Sequence, residues 1–151
     1  NLFTLRQAYG AWHCVKWCDS ALSAKGFLLT GSHMQNILIV CTGAPYGSES
    51  LFNALRLAIA LKEQEECGIE LRLFLLSDAV MAALNGQAPA DGYNLRQMLE
   101  ILTAQKVPMR LCKTCTDSRG ISGLPLIDGI EIGTMPLLAR WTVEADKVIN
   151  F

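Results

Sequence analysis

Apolar residues come in short runs along this chain, and polar segments rich in glycine or proline separate them. Ile37–Cys41 is a continuous apolar run, which is typical of a strand that is buried on both faces. After a loop at 42–48, apolar side chains recur at helical spacing and predict a helix over about Glu49–Glu66. Ser48 is the candidate N-cap of this helix, and Gly68 is its candidate C-cap.

The same alternation of strand-like and helix-like segments continues to the end of the chain. In order, the sequence predicts a strand at Leu71–Leu76, a short helix at 79–84 opened by Ser77-Asp78, and a helix to about Gln105 that Asn94 and Gln97 start as in a capping box. It then predicts a strand at Val107–Leu111, a turn or short helix at 118–123, a brief strand at Ile130–Gly133, a helix capped by Thr134, and a last strand at Lys147–Phe151. Buried strands that alternate with helices predict an α/β fold of three layers, with a mostly parallel sheet between helices on both faces.

The first 33 residues do not fit this alternation. The segment 31–34 reads as the remnant of a cleaved tag followed by a start methionine, so 1–33 is predicted to be tag- or vector-derived and 34–151 to be the functional domain. His13, Cys14 and Cys18 offer three metal ligands where a closed zinc site needs four. Incidental cysteines are therefore the favoured interpretation of that segment.

Composition is that of one compact domain with few charges. The net charge of −1 argues against nucleic acid or an anionic membrane as the main partner. The mean hydropathy is positive, which predicts apolar surface beyond one core and hence a homo-oligomer. The sequence shows neither an apolar stretch of about 20 residues nor a signal peptide, so no membrane contact and a cytoplasmic location with free thiols are expected.

Three predicted loops follow the carboxyl ends of strands, where sites lie in a parallel α/β sheet. They are the loops at 42–48, 77–79 and 112–120. The topology thus predicts that the 42–48 loop, Asp78 and Cys112 share one edge of the sheet. For Asp78, a cap on the following helix is favoured over a catalytic carboxylate.

The 42–48 loop carries Gly43 and Gly47 before a helix N-terminus, a geometry that can hold an anion. It lacks the lysine of a Walker loop and does not match the dinucleotide fingerprint. A structural turn is therefore favoured. In the functional alternative, Gly43, Tyr46, Gly47 and Ser48 line a pocket above the sheet.

Cys112 and Cys115 form a CxxC segment that admits four interpretations. A structural zinc site would need a second ligand pair, and the sequence holds no other CxxC. A thioredoxin-type dithiol lies near the start of its fold, whereas this segment follows the third strand. Two buried structural cysteines are the third interpretation, but the neighbouring residues are polar and predict a loop that meets water or a partner.

The fourth interpretation is a persulfide carrier, which needs a thiolate of lowered pKa. Lys113 and Arg119 could supply positive charge, and a helix near Ser118 could supply N–H donors. Both histidines lie in 1–33, so a histidine general base is excluded from the domain. Neither a cofactor nor a metal is predicted.

From Met34 onward the chain resembles the DsrE/DsrF-like family. The resemblance is carried by Gly43–Asn53, Leu71–Leu75 with Ser77–Val80, Met98–Gln105, and Leu111–Asp117 followed by Arg119–Ile121. It implies an α/β fold, a cytosolic setting and a homo-oligomer, either a trimer or a hexamer of two stacked trimers.

In better-understood members of that family, a cysteine before an Arg-Gly pair carries sulfur as a persulfide between proteins. Cys112 matches that position relative to Arg119-Gly120, and Cys115 is an addition to the pattern. The resemblance thus implies that Cys112 accepts sulfur from a donor protein for an acceptor protein, with Cys115 as an auxiliary thiol. A non-catalytic oligomeric scaffold and a thiol-disulfide redox protein are the alternatives.

Overall fold

The computed structural model describes residues 34–64, 68–89 and 94–151. Their elements, in chain order, are β1 (Gln35–Cys41), α1 (Ser50–Lys62), β2 (Ile69–Leu75), a 3-10 helix (Ser77–Ala83), α2 (Leu95–Ala104), β3 (Met109–Cys112), α3 (Lys113–Ser118), β4 (Ile130–Gly133), α4 (Met135–Glu144) and β5 (Lys147–Asn150). The predicted α/β class is confirmed. The interpretation of 1–33 falls outside the described residues.

The strands form one parallel sheet in the order β4-β3-β2-β1-β5. The chain moves outward from β1 to β4 and then returns to the other side of β1. Because parallel crossovers are right-handed, this reversal puts α4 on the face opposite α1 and α2. Trp141 of α4 packs edge-on against Phe74 of β2, with ring centroids 6.1 Å apart.

The central strands β1 and β2 are buried on both faces. Leu38 and Ile39 on β1, and Leu73 and Phe74 on β2, have no solvent exposure although neighbouring side chains point to opposite faces of the sheet. Helices on both faces explain why these strands read as continuous apolar runs. None of the helices in the described ranges is long and apolar enough to cross a membrane.

The predicted caps of α1 are wrong. Its N-cap is Glu49, which makes no side-chain capping hydrogen bond, so Ser48 does not cap the helix. The helix ends at Lys62, and Gly68 therefore does not terminate it. Gly68 instead adopts a left-handed φ of 56° before β2, where its carbonyl accepts a hydrogen bond from the Gln35 N–H at 2.9 Å.

The predicted caps of α2 and α4 have different outcomes. The Asn94 side chain accepts a hydrogen bond from the Gln97 N–H at 3.0 Å, as predicted. Thr134 occupies the N-cap position of α4 but makes no side-chain capping hydrogen bond. Pro136 lies in the first turn of that helix, where its missing N–H has no helical partner to lose.

Candidate thiol site

The CxxC segment lies at the junction of β3 and α3. Cys112 is the last residue of β3 and the N-cap of α3, and its Sγ accepts a hydrogen bond from the Cys115 N–H at 3.3 Å. The prediction of a polar loop with a helix beginning near Ser118 is therefore wrong, because the helix begins at Lys113. Six residues are too few to show a helical period. Thr116 is a polar residue and so suggested a loop, but it is buried, and its hydroxyl donates a hydrogen bond to the Lys113 carbonyl at 2.8 Å.

The Arg-Gly pair after the cysteines terminates α3. Gly120 adopts a left-handed φ of 65° and its N–H donates to the Asp117 carbonyl at 3.0 Å. The Ile121 N–H donates to the Thr116 carbonyl at 3.0 Å, which completes a Schellman motif. Arg119 is thus held at the helix end by the backbone.

The two sulfurs of the site differ in depth. Cys112 is 6% exposed, whereas Cys115 is partly exposed. Burial raises the pKa of Cys112, a side-chain hydrogen bond with Cys115 adds to this, and the Cys115 N–H acts against it. The lowered pKa that a resting Cys112 thiolate would need is not found.

The two predicted cations have carboxylate partners. Lys113 Nζ lies 2.6 Å from Asp117 Oδ2, and Arg119 Nη2 lies 2.6 Å from Asp78 Oδ1. In the described part of the chain, neither cation forms a hydrogen bond to Cys112 Sγ. Direct contact of Lys113 or Arg119 with the Cys112 sulfur, which would stabilise a thiolate most strongly, is therefore not found among these hydrogen bonds. The Lys113 and Ser122 side chains lower the pKa of Asp117 through hydrogen bonds.

The turn after β2 holds Cys115 in place. The Ser77 N–H donates to Cys115 Sγ at 3.2 Å, and Arg119 Nη1 donates to the Cys115 carbonyl at 3.1 Å. Arg119 also donates to Asp78 Oδ1 from Nε at 3.1 Å and from Nη2. These contacts agree with the prediction that Asp78 and the cysteines lie at the same edge of the sheet.

The predicted helix cap at Ser77-Asp78 is wrong. Leu76 is the N-cap of the 3-10 helix, without a side-chain capping bond, and Ser77 has a left-handed φ of 49°. Sequence reasoning missed the Ser77 N–H as a sulfur ligand. The sequence did hold one signal that the turn after β2 meets the CxxC segment. Asp78 and Arg119 carry opposite charges, and they follow neighbouring strands.

The 42–48 loop does not reach the sulfurs by any hydrogen bond of the described residues. Strand β2 lies between β1 and β3, which separates the loop from Cys112 by two strand spacings of about 5 Å each. Tyr46 instead donates its hydroxyl to Gln87 Oε1 at 2.8 Å. Gly47 and Ser48 line an open depression with Pro45, Tyr46 and Glu49.

Gly43 has a packing role in the same loop. A Cβ atom at this position would lie 2.7 Å from the Ser50 Cβ, so only glycine allows the loop to pass the start of α1. This contact favours the structural turn over the anion site. A role of Gly43, Tyr46, Gly47 and Ser48 in the thiol site remains a prediction.

Other candidate ligands are few in the described ranges. Cys41 is fully buried, and burial raises its pKa to about 12. No group of three or more His, Cys, Asp or Glu side chains within these ranges could hold a metal ion. The nucleophilic chemistry of the described residues thus concentrates at the CxxC segment.

The fold and site together are those of a parallel α/β protein that carries a cysteine at the carboxyl end of β3. The sequence model of the DsrE/DsrF-like family matches residues 35–151, and the chain belongs to this family. Protein YchN of Escherichia coli K12 is 71% identical over 118 residues, which are 78% of this chain and 100% of YchN. An uncharacterized protein of Methanopyrus kandleri is 38% identical over 116 residues, covering 76% of this chain and 93% of that protein.

Solved structures show the same fold. The crystal structure of the YchN protein from Escherichia coli superposes with a TM-score of 0.75 at 71% identity, covering 78% of this chain and 100% of that one. A protein of unknown function from Methanobacterium thermoautotrophicum gives a TM-score of 0.59 at 14% identity, covering 78% of this chain and 99% of that one. The second likeness concerns the fold alone.

Proposed function

We propose that this protein is a sulfur carrier that holds sulfane sulfur as a persulfide on its CxxC segment and passes it to another protein. Membership of a family linked in general to sulfur relay supports the proposal. The observation that carries it is the pair of free thiols at the β3–α3 junction, where backbone N–H groups bind both sulfurs. Such donors stabilise a sulfur anion.

The proposal includes the setting in which a carrier would work. Free thiols require a reducing compartment such as the cytoplasm. Donor and acceptor would be proteins, so specificity would lie in docking surfaces and not in a small-molecule pocket. A trimer or hexamer of this chain would present several CxxC segments at once.

A thiol-disulfide redox protein is the second candidate. Cys112 caps α3 and Cys115 lies in its first turn, so the CxxC segment begins a helix, as in dithiol oxidoreductases. The CxxC segment thus shares this feature with redox dithiols, although it follows the third strand and does not lie near the start of the fold. Oxidation would join the two sulfurs and remove two hydrogen atoms.

Intact mass spectrometry separates these candidates. The protein is incubated with a cysteine desulfurase and cysteine, beside a variant that carries both Cys112→Ser and Cys115→Ser. A carrier gains about 32 Da per sulfur, and the double variant gains nothing at these positions. A loss of about 2 Da on mild oxidation, without sulfur uptake from any donor, would favour the redox protein instead. A scaffold would show neither change.

A further inference from the structure

The different depths of the two sulfurs decide how a carrier of this geometry is loaded. A donor protein holds its persulfide on a side chain that must come within bonding distance of the accepting sulfur. Cys112, the N-cap of α3, is 6% exposed. Cys115, in the first turn, packs partly against the core but is the more exposed of the two residues.

Contacts with the turn after β2 fix Cys115 at this surface. The Ser77 N–H binds its Sγ at 3.2 Å, and Arg119 binds its carbonyl at 3.1 Å. Asp78 accepts two hydrogen bonds from the same guanidinium, which keeps Arg119 in place. The sulfur thus has a defined position and a donor that stabilises negative charge on it.

Cys112 caps α3 and Cys115 lies in its first turn, so the two thiols are close neighbours. Burial raises the pKa of Cys112 and so favours its protonated form. The Cys115 N–H binds Cys112 Sγ at 3.3 Å and can stabilise the charge that develops there.

Resting on the proposed function, the geometry points to a two-step loading in which Cys115 receives sulfane sulfur from a protein persulfide and then transfers it inward to Cys112. First, the Cys115 thiolate attacks the outer sulfur of the donor. A new S–S bond forms, the S–S bond of the donor breaks, and the donor leaves as a thiolate. Cys115 now carries the persulfide.

In the second step, the Cys112 sulfur attacks the outer sulfur of the Cys115 persulfide. The S–S bond to Cys115 breaks as the bond to Cys112 forms, and the Cys112 proton moves to Cys115. The sulfane sulfur keeps its oxidation state throughout, so no oxidant or reductant is consumed. Storage on Cys112 shields the sulfur from small thiols in solution, because that position is nearly inaccessible.

A time course on the wild-type protein tests this order. Trypsin cleaves after Lys113, so Cys112 falls on the peptide 111–113 and Cys115 on the peptide 114–119. The protein is mixed with a cysteine desulfurase and cysteine, quenched with iodoacetamide at intervals, digested and weighed. The extra sulfur is expected on 114–119 first and on 111–113 later. Cys41, with its pKa of about 12, is the internal control and should stay unmodified.

Two matched variants give an independent measure. Cys115→Ser should slow the initial rate of loading by about tenfold or more, since the remaining sulfur is covered. In Cys112→Ser the sulfur should stay on Cys115 and be lost to glutathione faster than from the wild-type protein, because the inner acceptor is missing. The wild-type time course does not depend on the folding of either variant.

The outcomes separate this inference from the proposed function. If Cys112 gains sulfur first, or if Cys115→Ser loads at the wild-type rate, the order is wrong while the carrier function stands. Release of hydrosulfide with a Cys112–Cys115 disulfide, before Cys112 carries sulfur, would also overturn the order. If the wild-type protein gains no sulfur at either peptide, the carrier function fails and the order with it.

Discussion

Gly133 lies opposite Cys112 across the β3–β4 pair, and its lack of a side chain is a packing requirement. A Cβ atom there would lie 2.9 Å from the Arg110 Cβ and 3.2 Å from Phe74 Cε2. These atoms belong to the side chains that pack beneath α4. Glycine therefore lets the edge strand approach its neighbour next to the thiol site.

Replacing Gly133 by alanine should destabilise the protein. Gly133→Ala forces Arg110 or Phe74 to move, which we expect to lower the free energy of unfolding by about 1–3 kcal/mol. Gly86→Ala is the matched control, because a Cβ there meets no atom within 4 Å, and its effect should stay within about 0.5 kcal/mol. Urea denaturation at equal protein concentration measures both, and equal stabilities of the two variants would contradict the packing argument.

Residue type was sufficient to predict the helix cap at Asn94 but not the ion pairs of Lys113 and Arg119. Asn94 at a helix start was correctly assigned as a cap, because an Asx side chain and an N–H three residues later form a local contact. The roles of Lys113 and Arg119 were not predictable in the same way. Lys113 pairs with Asp117 because 113–118 is helical, which the sequence did not predict, and Asp78 is 41 residues away from Arg119 along the chain.

The starts of α2 and α4 offer a matched test of capping. Asn94→Ala removes the hydrogen bond to the Gln97 N–H and should lower the free energy of unfolding by about 1 kcal/mol. Thr134 is likewise the N-cap of a ten-residue helix, but it makes no side-chain capping bond. Thr134→Ala should therefore change the free energy of unfolding by less than about 0.5 kcal/mol. Chemical denaturation of both variants checks this, and an equal loss at Thr134 would refute the assignment.

Helix α3 carries an ion pair whose titration can be followed. The Lys113 and Ser122 side chains hold the pKa of Asp117 below its ordinary value of 3.8. The folded state therefore binds this proton less readily than the unfolded state. Ionised Asp117 therefore stabilises the fold fully at pH values above its ordinary pKa of 3.8. This stabilisation is lost as the pH falls through the lower pKa that Asp117 has in the folded state.

Lys113→Met should raise the pKa of Asp117, and Ser122→Ala should raise it less, since the Lys113 contact is the larger cause. NMR titration of the Asp117 carboxyl group measures both shifts. Lys113 is exposed and its substitution leaves the core intact, so the fold should persist. A wild-type Asp117 that titrates at its ordinary pKa would show that the i,i+4 pair does not form in solution.

Apolar surface remains on the described part of the chain. Met135 is 59% exposed and Val143 is 88% exposed. Each edge strand also carries an exposed apolar residue, Ile132 on β4 and Val148 on β5. Unpaired strand edges and exposed apolar groups favour association with other chains. These features support the proposed homo-oligomer.

Light scattering coupled to size-exclusion chromatography tests this proposal. We expect an oligomer because association would cover apolar surface, and the family resemblance implies three or six chains. The mass should hold on dilution and in elevated salt, since apolar burial is not weakened by ionic strength. A single-chain mass at all concentrations would contradict the oligomer, and the sulfur-loading experiments would still apply to the monomer.

The order of apolar runs was sufficient to predict the parallel α/β sheet, because burial of strands and amphipathicity of helices are local properties of the chain. The same order placed Asp78 and the cysteines at one edge, since carboxyl ends of parallel strands coincide. Only the packed fold decided the rest. β2 separates the 42–48 loop from Cys112, and Asp78 binds Arg119, because these placements depend on segments remote in sequence. The fold also leaves Cys112 buried and Cys115 partly exposed, since the exposure of each residue depends on what packs around it.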